Sequence, residues 1–222
     1  MSRKQVRFLG LLRPYVQLAA DQPSDCRRDL NTLRDDWKLR RYSIPHIILD
    51  FAHVQVDLYL GDTAPLARHL EELWQGLTNS HHFRLQFWRI IAGDLRARAA
   101  LAVAATGENC RQHLAGAMRD ARLLNHEKMP WGDSLAGLLW AGIAAVQGDR
   151  TLAVRLLRET VNRFEAADMR IHAAVARGRL GGLLGGVAGR ELATQAEVWM
   201  AAQKIVNPAR MTYLYAPGFP EP

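Results

Sequence analysis

Residues 129–165 read MPWGDSLAGLLWAGIAAVQGDRTLAVRLLRETVNRFE, and this stretch decides the fold. From Ser134 to Val146 nearly every residue is apolar or small. From Thr151 to Phe164 the apolar set Leu152, Val154, Leu156, Leu157, Val161 and Phe164 recurs at helical spacing. Gly148 and Asp149 stand between the two patterns, so the stretch is a helical hairpin. Neither helix can bury its apolar side alone, and such a unit must stack on a neighbour.

The same unit recurs along the chain. Helical patterns pair over residues 4–42, 44–77, 82–124, 131–165 and 169–204, and a capping segment occupies 207–222. The hinge glycines Gly61, Gly107, Gly148 and Gly186 fall at intervals of 46, 41 and 38, a degenerate repeat with its longer members first. The expected architecture is all-α: one helical-repeat domain over residues 1–222, built as a right-handed α-α superhelix of stacked hairpins, a tetratricopeptide-like solenoid. Within it Trp140, Ala141, Ala153 and Leu157 are expected to be interior. Ser134 is expected at a helix start. Asn207 and Pro208 suit the N-cap and first turn of a last short helix, whose Met211, Tyr213, Leu214 and Tyr215 would cover the end of the stack.

With 222 residues and 49% hydrophobic content, the chain can bury a sizeable core. Its net charge is +7, and of 29 basic residues only Lys4, Lys38, Lys128 and Lys204 are lysines. The arginines are spread along the chain in the manner of solvated helix faces, and the densest cluster, Lys38, Arg40 and Arg41, stands beside Asp35 and Asp36. No nucleic-acid partner is therefore expected. Cys26 and Cys110 lie far apart in a chain that needs no staples, which points to free thiols in a reducing compartment. Arg13 and Pro14 interrupt the short apolar patch near the N-terminus, and no apolar run reaches the length of a bilayer span, so no signal peptide or membrane segment is expected. The expected location is cytoplasmic.

Residues 129–219 resemble the C-terminal helical-repeat region of large multidomain bacterial serine/threonine protein kinases. The resemblance rests on MPWGDSLAGLLWAG, AAVQGDRTLAVRLL, FEAADMRIHAAVARGRLGGLLGG, WMAAQKIVNPARM and APGF. In such proteins the catalytic domain lies upstream of the repeats, so the resemblance implies an interaction or sensory appendage. The tetratricopeptide consensus is met in part: Trp140 and Ala141 fall on its large-small pair and Ala153 on its small second-helix position, whereas Thr160 and Glu165 depart from it.

The chain carries none of the enzyme signatures that would contradict this. No glycine-rich loop leads into a lysine, which removes a phosphate-cradling loop. Asp50-Phe51-Ala52 lacks the glycine of a kinase metal-binding motif. Gly132 to Gly137 is one residue off a nucleophile elbow and has no strand before it, and His126-Glu127 meets Pro130 where a second zinc histidine would stand. The glycines between Gly178 and Gly189 follow a helix and suit close helix approach better than a dinucleotide. No catalytic residue, cofactor or metal is expected.

One constellation is sharper. In the helix over residues 44–60, His46, Asp50, His53 and Asp57 recur at intervals of four, three and four, a polar stripe on an otherwise apolar helix. Arg89 and Arg96, seven apart, are positioned to pair with Asp50 and Asp57. These six residues are the candidate partner-binding set. The stripe can be an interhelical polar layer, the lining of a groove for a protein or peptide, or a metal or acid-base site. The functional expectation is a protein-protein interaction scaffold that binds a peptide or protein segment in the concave groove made by the first helices of its hairpins. The alternative is a non-autonomous regulatory part of a kinase or ATPase signalling system.

Overall fold

Ser43 is extended and Pro45 fits the first turn that follows, so the apolar run after them starts a helix with a fixed entry. The His46 ring closes that start by accepting the Ser43 backbone N–H at 3.2 Å through Nδ1. Asp149 opens a later helix in the usual way, its carboxylate accepting from the Leu152 N–H at 2.9 Å. Gly61, Gly107 and Gly148 all adopt positive φ (67°, 86° and 80°) and turn the chain between the helices they separate.

The structure, a computed structural model, describes residues 13–37 and 42–220. Its elements are α1 (Arg13–Ala19), α2 (Pro23–Trp37), α3 (Ile44–Leu60), α4 (Thr63–Asn79), α5 (Gln86–Ala105), α6 (Cys110–His126), α7 (Pro130–Val146), α8 (Arg150–Ala166), α9 (Arg170–Leu184), α10 (Gly186–Ala202) and α11 (Pro208–Tyr215), with a 3₁₀ turn over His82–Arg84. Among the described residues there is no strand, and each helix packs against its neighbours in sequence. The start of the first expected hairpin and the Lys38, Arg40 and Arg41 cluster lie outside the described residues.

The two helices of a hairpin have different surroundings. In α3, α5 and α7 most residues are buried, because each lies between its own partner helix, the adjoining hairpin and other covering elements. Helices α4, α6 and α8 bury one stripe and leave the opposite face in water; in α8 that stripe is Ala153, Leu157, Thr160, Val161 and Phe164. Ala141, Ala153 and Leu157 are fully buried, as their register requires. Trp140 is only half-buried: its indole N–H reaches Asn125 Oδ1 at 3.2 Å in a solvent-facing position, which keeps the ring at the edge of the packing. Thr160 departs from the repeat consensus for a local reason. A Cβ on Gly137 would lie 2.6 Å from Thr160 Oγ1, so α7 and α8 meet closely there through a glycine and a threonine.

Several boundaries differ from those the periodicity suggests. The third pair does not run on from His82: His81 takes φ 59°, Leu85 is extended, and α5 begins only at Gln86. Helix α7 starts at Pro130, and Ser134 lies inside it, its hydroxyl donating back to the Pro130 carbonyl at 2.8 Å. Helix α10 starts at Gly186 instead of Arg190, and Gly189 in its first turn presses on α9. A Cβ at Gly189 would sit 2.5 Å from the Gly181 carbonyl oxygen, and one at Gly181 would sit 2.6 Å from the Gly189 oxygen.

The C-terminal segment is the larger correction. Instead of covering the end of the stack, α11 lies across α3 and α9 and reaches the first hairpin. The Val206 N–H donates to the Ala19 carbonyl at 2.8 Å. Asp21 then accepts from Asn207, Arg210 and Tyr59 at 3.1, 3.1 and 2.9 Å. The two ends of the array are thereby joined.

The close approach of α9 and α10 predicts opposite outcomes at adjacent residues. Gly181→Ala places a methyl group against backbone that cannot yield and should lower stability by about 1–3 kcal/mol. Gly182→Ala, where a Cβ meets nothing within 4 Å, should be neutral or stabilising by up to about 1 kcal/mol. Thermal melts of the two variants measure the contrast.

Candidate functional site

Asp50, His53 and Asp57 are buried, at 7%, 2% and 1% exposure, and His46 is partly exposed at the start of α3. The side chains that meet them come from α2 and α4, which flank α3. Arg34 Nη2 donates to Asp50 at 3.0 Å while its Nη1 reaches Glu72 at 2.7 Å, and the Tyr42 hydroxyl donates to the other Asp50 oxygen at 2.8 Å. The Tyr42 ring can reach that far because Gly76 leaves room; a Cβ there would fall 2.1 Å from the ring. Asp57 accepts from Arg27 at 2.9 Å and pairs with His69 Nδ1 at 2.5 Å.

The expected pairing with Arg89 and Arg96 does not occur. Arg89 makes a bidentate pair with Glu127 at 2.5 and 2.8 Å, and Arg96 makes one with Asp120 at 2.7 and 2.5 Å. Both arginines point from α5 toward their own hairpin partner, α6 and its C-terminal end. Seven-residue spacing places them on one face but does not say which neighbour that face meets. Arg96 also lies over the Trp74 ring, 3.4 Å from its centroid. The six candidates therefore fall in separate layers: the stripe between α2, α3 and α4, and the two arginines between α5 and α6.

The electrostatics of the stripe are those of a buried layer. Burial raises the Asp50 carboxyl above its ordinary range, with Tyr42 and Arg34 opposing. Burial, then the positive charge of Arg34, holds the His53 imidazole down at about 3, so it is neutral across the physiological range. His53 packs on His69, ring centroids 4.8 Å apart, and its Nε2 has no hydrogen-bond partner among the described residues.

A second cluster on the inner side of the array went unread in the sequence. In α5, Asp94 and Arg98 pair at 2.8 Å, both about nine-tenths buried. Arg98 Nη1 donates to the Leu214 carbonyl at 2.8 Å, and its guanidinium carbon lies 5.6 Å from the Tyr215 ring centroid. From α9, Arg179 Nε donates to the Ala216 carbonyl at 2.9 Å, and the guanidinium faces the Phe219 ring at 5.4 Å. His172 lies tilted on Phe164 and edge-on to Tyr215, and burial, then Arg98, lowers its pKa to about 3. On α7, Gly142 completes the wall: a Cβ there would stand 3.4 Å from the Pro217 oxygen and 3.6 Å from Phe219. Residues 214–219 are thereby packed against side chains and backbone of α5, α7 and α9. The available signal was Asp94 and Arg98, oppositely charged and four apart in a helix otherwise rich in alanine and leucine.

An open groove of about 470 Å³ lies elsewhere, between α4, α5 and α6, with Leu66, Leu70, Ala99 and Val103 on its floor and Arg119 at its rim. Among the described residues no group of three or more His, Cys, Asp and Glu side chains is placed to hold a metal ion, and no helix is long and apolar enough to cross a membrane.

Two measurements follow from this geometry. Asp57→Ala leaves the buried His69 without its acceptor, while Arg27 keeps Asp62 at 3.3 Å, and should cost about 1–3 kcal/mol. Asp50→Ala leaves Arg34 with Glu72 and should cost about 1–3 kcal/mol; urea unfolding of the two variants ranks them. Acid should also destabilise the chain. His53 and His172 stay neutral in the fold, whereas in the unfolded chain they take up protons below about pH 6.5. Stability should accordingly be complete above that pH and fall as pH drops toward 3, by up to about 1.4 kcal/mol per pH unit for each histidine. The slope over that window should be shallower in His172→Phe than in the parent chain.

Compared with protein-family models, with curated proteins and with solved structures, the chain matches none.

Proposed function

We propose that the chain is a helical-repeat interaction module: a right-handed superhelix of tetratricopeptide-like hairpins whose inner face binds an extended segment of a partner protein. In this reading it works in the cytoplasm as a scaffold or sensory appendage of a bacterial signalling protein, akin to the repeat regions of multidomain serine/threonine kinases. It has no catalytic centre of its own.

The observation that carries the proposal is the way the inner face meets residues 214–219. Two arginines from separate hairpins donate to the carbonyls of Leu214 and Ala216. Ala216 lies outside any helix, so the Arg179 contact reads non-helical main chain, whereas Arg98 holds one of the last carbonyls of α11; Gly142 and the space around Phe219 and Tyr215 select side chains. Arginine suits this role because its planar fork keeps a donor aimed at a carbonyl while its face lies on an aromatic ring. The buried stripe of α3 stiffens the wall of this groove and has no part in touching a ligand.

The test is a peptide-library selection on the immobilised chain, with photo-cross-linking of the selected peptides. Cross-links should map to the inward residues of α5, α7 and α9. Cross-links confined to α4, α6 and α8, or specific nucleotide hydrolysis or phosphate transfer by the purified chain, would overturn the proposal.

A further inference from the structure

Residues 216–219, Ala-Pro-Gly-Phe, are all buried although they belong to no helix. A segment of this kind has no intrahelical hydrogen bonds, and its main chain is held instead by the groove. The Ala216 carbonyl takes the Arg179 donor at 2.9 Å, and Phe219 fills the space between Arg179 and the bare backbone of Gly142. Gly218, at φ 89°, brings the chain down onto Leu101 and Val146, where a Cβ would lie 3.3 and 3.2 Å from their side chains. Pro220 is already exposed. The segment preceding it is anchored differently: α11 is tied to Asp21 and Ala19 at its start and to Arg98 at its end. The contacts that hold α11 are thus separate from those that hold residues 216–219.

Building on the peptide-groove reading, we infer that residues 216–219 are a resident pseudo-ligand, and that the partner's segment is an extended peptide with an aromatic residue three positions after the carbonyl held by Arg179. The chemistry of the occupied groove dictates that class. Arg179 offers a donor to the segment's main chain, the Phe219 site carries a cation over the ring face, and at Gly142 the segment passes at a distance where a Cβ would be in van der Waals contact with it. A free ligand must displace the resident segment. Its apparent affinity is reduced by the fraction of time the groove is filled.

The experiment uses the full chain and a fluorescent synthetic peptide of the sequence MTYLYAPGFP, with a scrambled control. The parent chain should bind the peptide weakly. Phe219→Ala removes the resident's aromatic anchor without touching the groove, and should tighten binding about ten-fold or more with the helical circular dichroism unchanged. An unchanged affinity in a folded Phe219→Ala chain would overturn the inference. If that variant unfolds, chymotrypsin on the parent chain decides: cleavage at the Tyr215–Ala216 bond well below the melting temperature is expected, and cleavage only upon global unfolding would show the segment to be fixed core. Library peptides that cross-link to the inner face but are indifferent to Phe219→Ala would sink this inference and leave the peptide-groove reading standing. Absence of any inner-face ligand in both chains would sink the reading itself.

Discussion

The buried guanidinium of Arg98 is the constraint around which the inner side of this protein is arranged. A cation removed from water is costly unless it is paired and its remaining donors are used. Asp94, one turn earlier on the same helix, supplies the counter-charge, and the Leu214 carbonyl takes a further donor. Burial raises the Asp94 carboxyl, and Arg98 opposes that shift. The consequence reaches beyond the pair. The C-terminal helix must end where its last carbonyls can meet this group, and the segment after it must turn into the groove beside α7 and α9.

Closure follows from the same segment. Hairpins that expose an apolar face at either end of a stack need a cap. Here the segment between α10 and α11 crosses to the first hairpin, where the Ala19 carbonyl and the Asp21 carboxylate receive it. Residues nearly two hundred positions apart are thereby tied. The buried α3 stripe works toward the same end: Arg27 and Arg34 on α2 fix the first hairpin onto the second through Asp57 and Asp50. A layer of this type contributes more to register than to net stability, because a misaligned hairpin would leave those charges unpaired.

Most of the helices and the pairing of neighbours were legible in the sequence, because helical periodicity, Gly148-Asp149 and the other turn signals are local. The start of α10 was not. Gly186 and Gly189 read as a breaker by propensity, and it is Gly189 that meets the close backbone of α9 at Gly181. The burial of the α3 stripe was also legible, since four polar residues on an apolar helix need partners. Which arginines would supply them was not, because Arg27, Arg34, Arg89 and Arg96 all have helical spacing and only the packing order separates them. The inner-face cluster was the least legible: Arg179 and Gly142 acquire meaning only when the C-terminal segment lies between them, and that placement is a tertiary fact with no local signature.

The C-terminal segment ties the end of α10 back to the first hairpin. Residue-resolved amide hydrogen exchange tests it most directly at Val206, whose N–H is bonded to Ala19 from the far end of the chain. The Val206 amide should be protected to about the level of the buried amides of α7, because it opens only when the ends of the array separate. Exchange of Val206 at the rate of an exposed loop, with α7 still protected, would contradict the closure and the groove occupancy built on it.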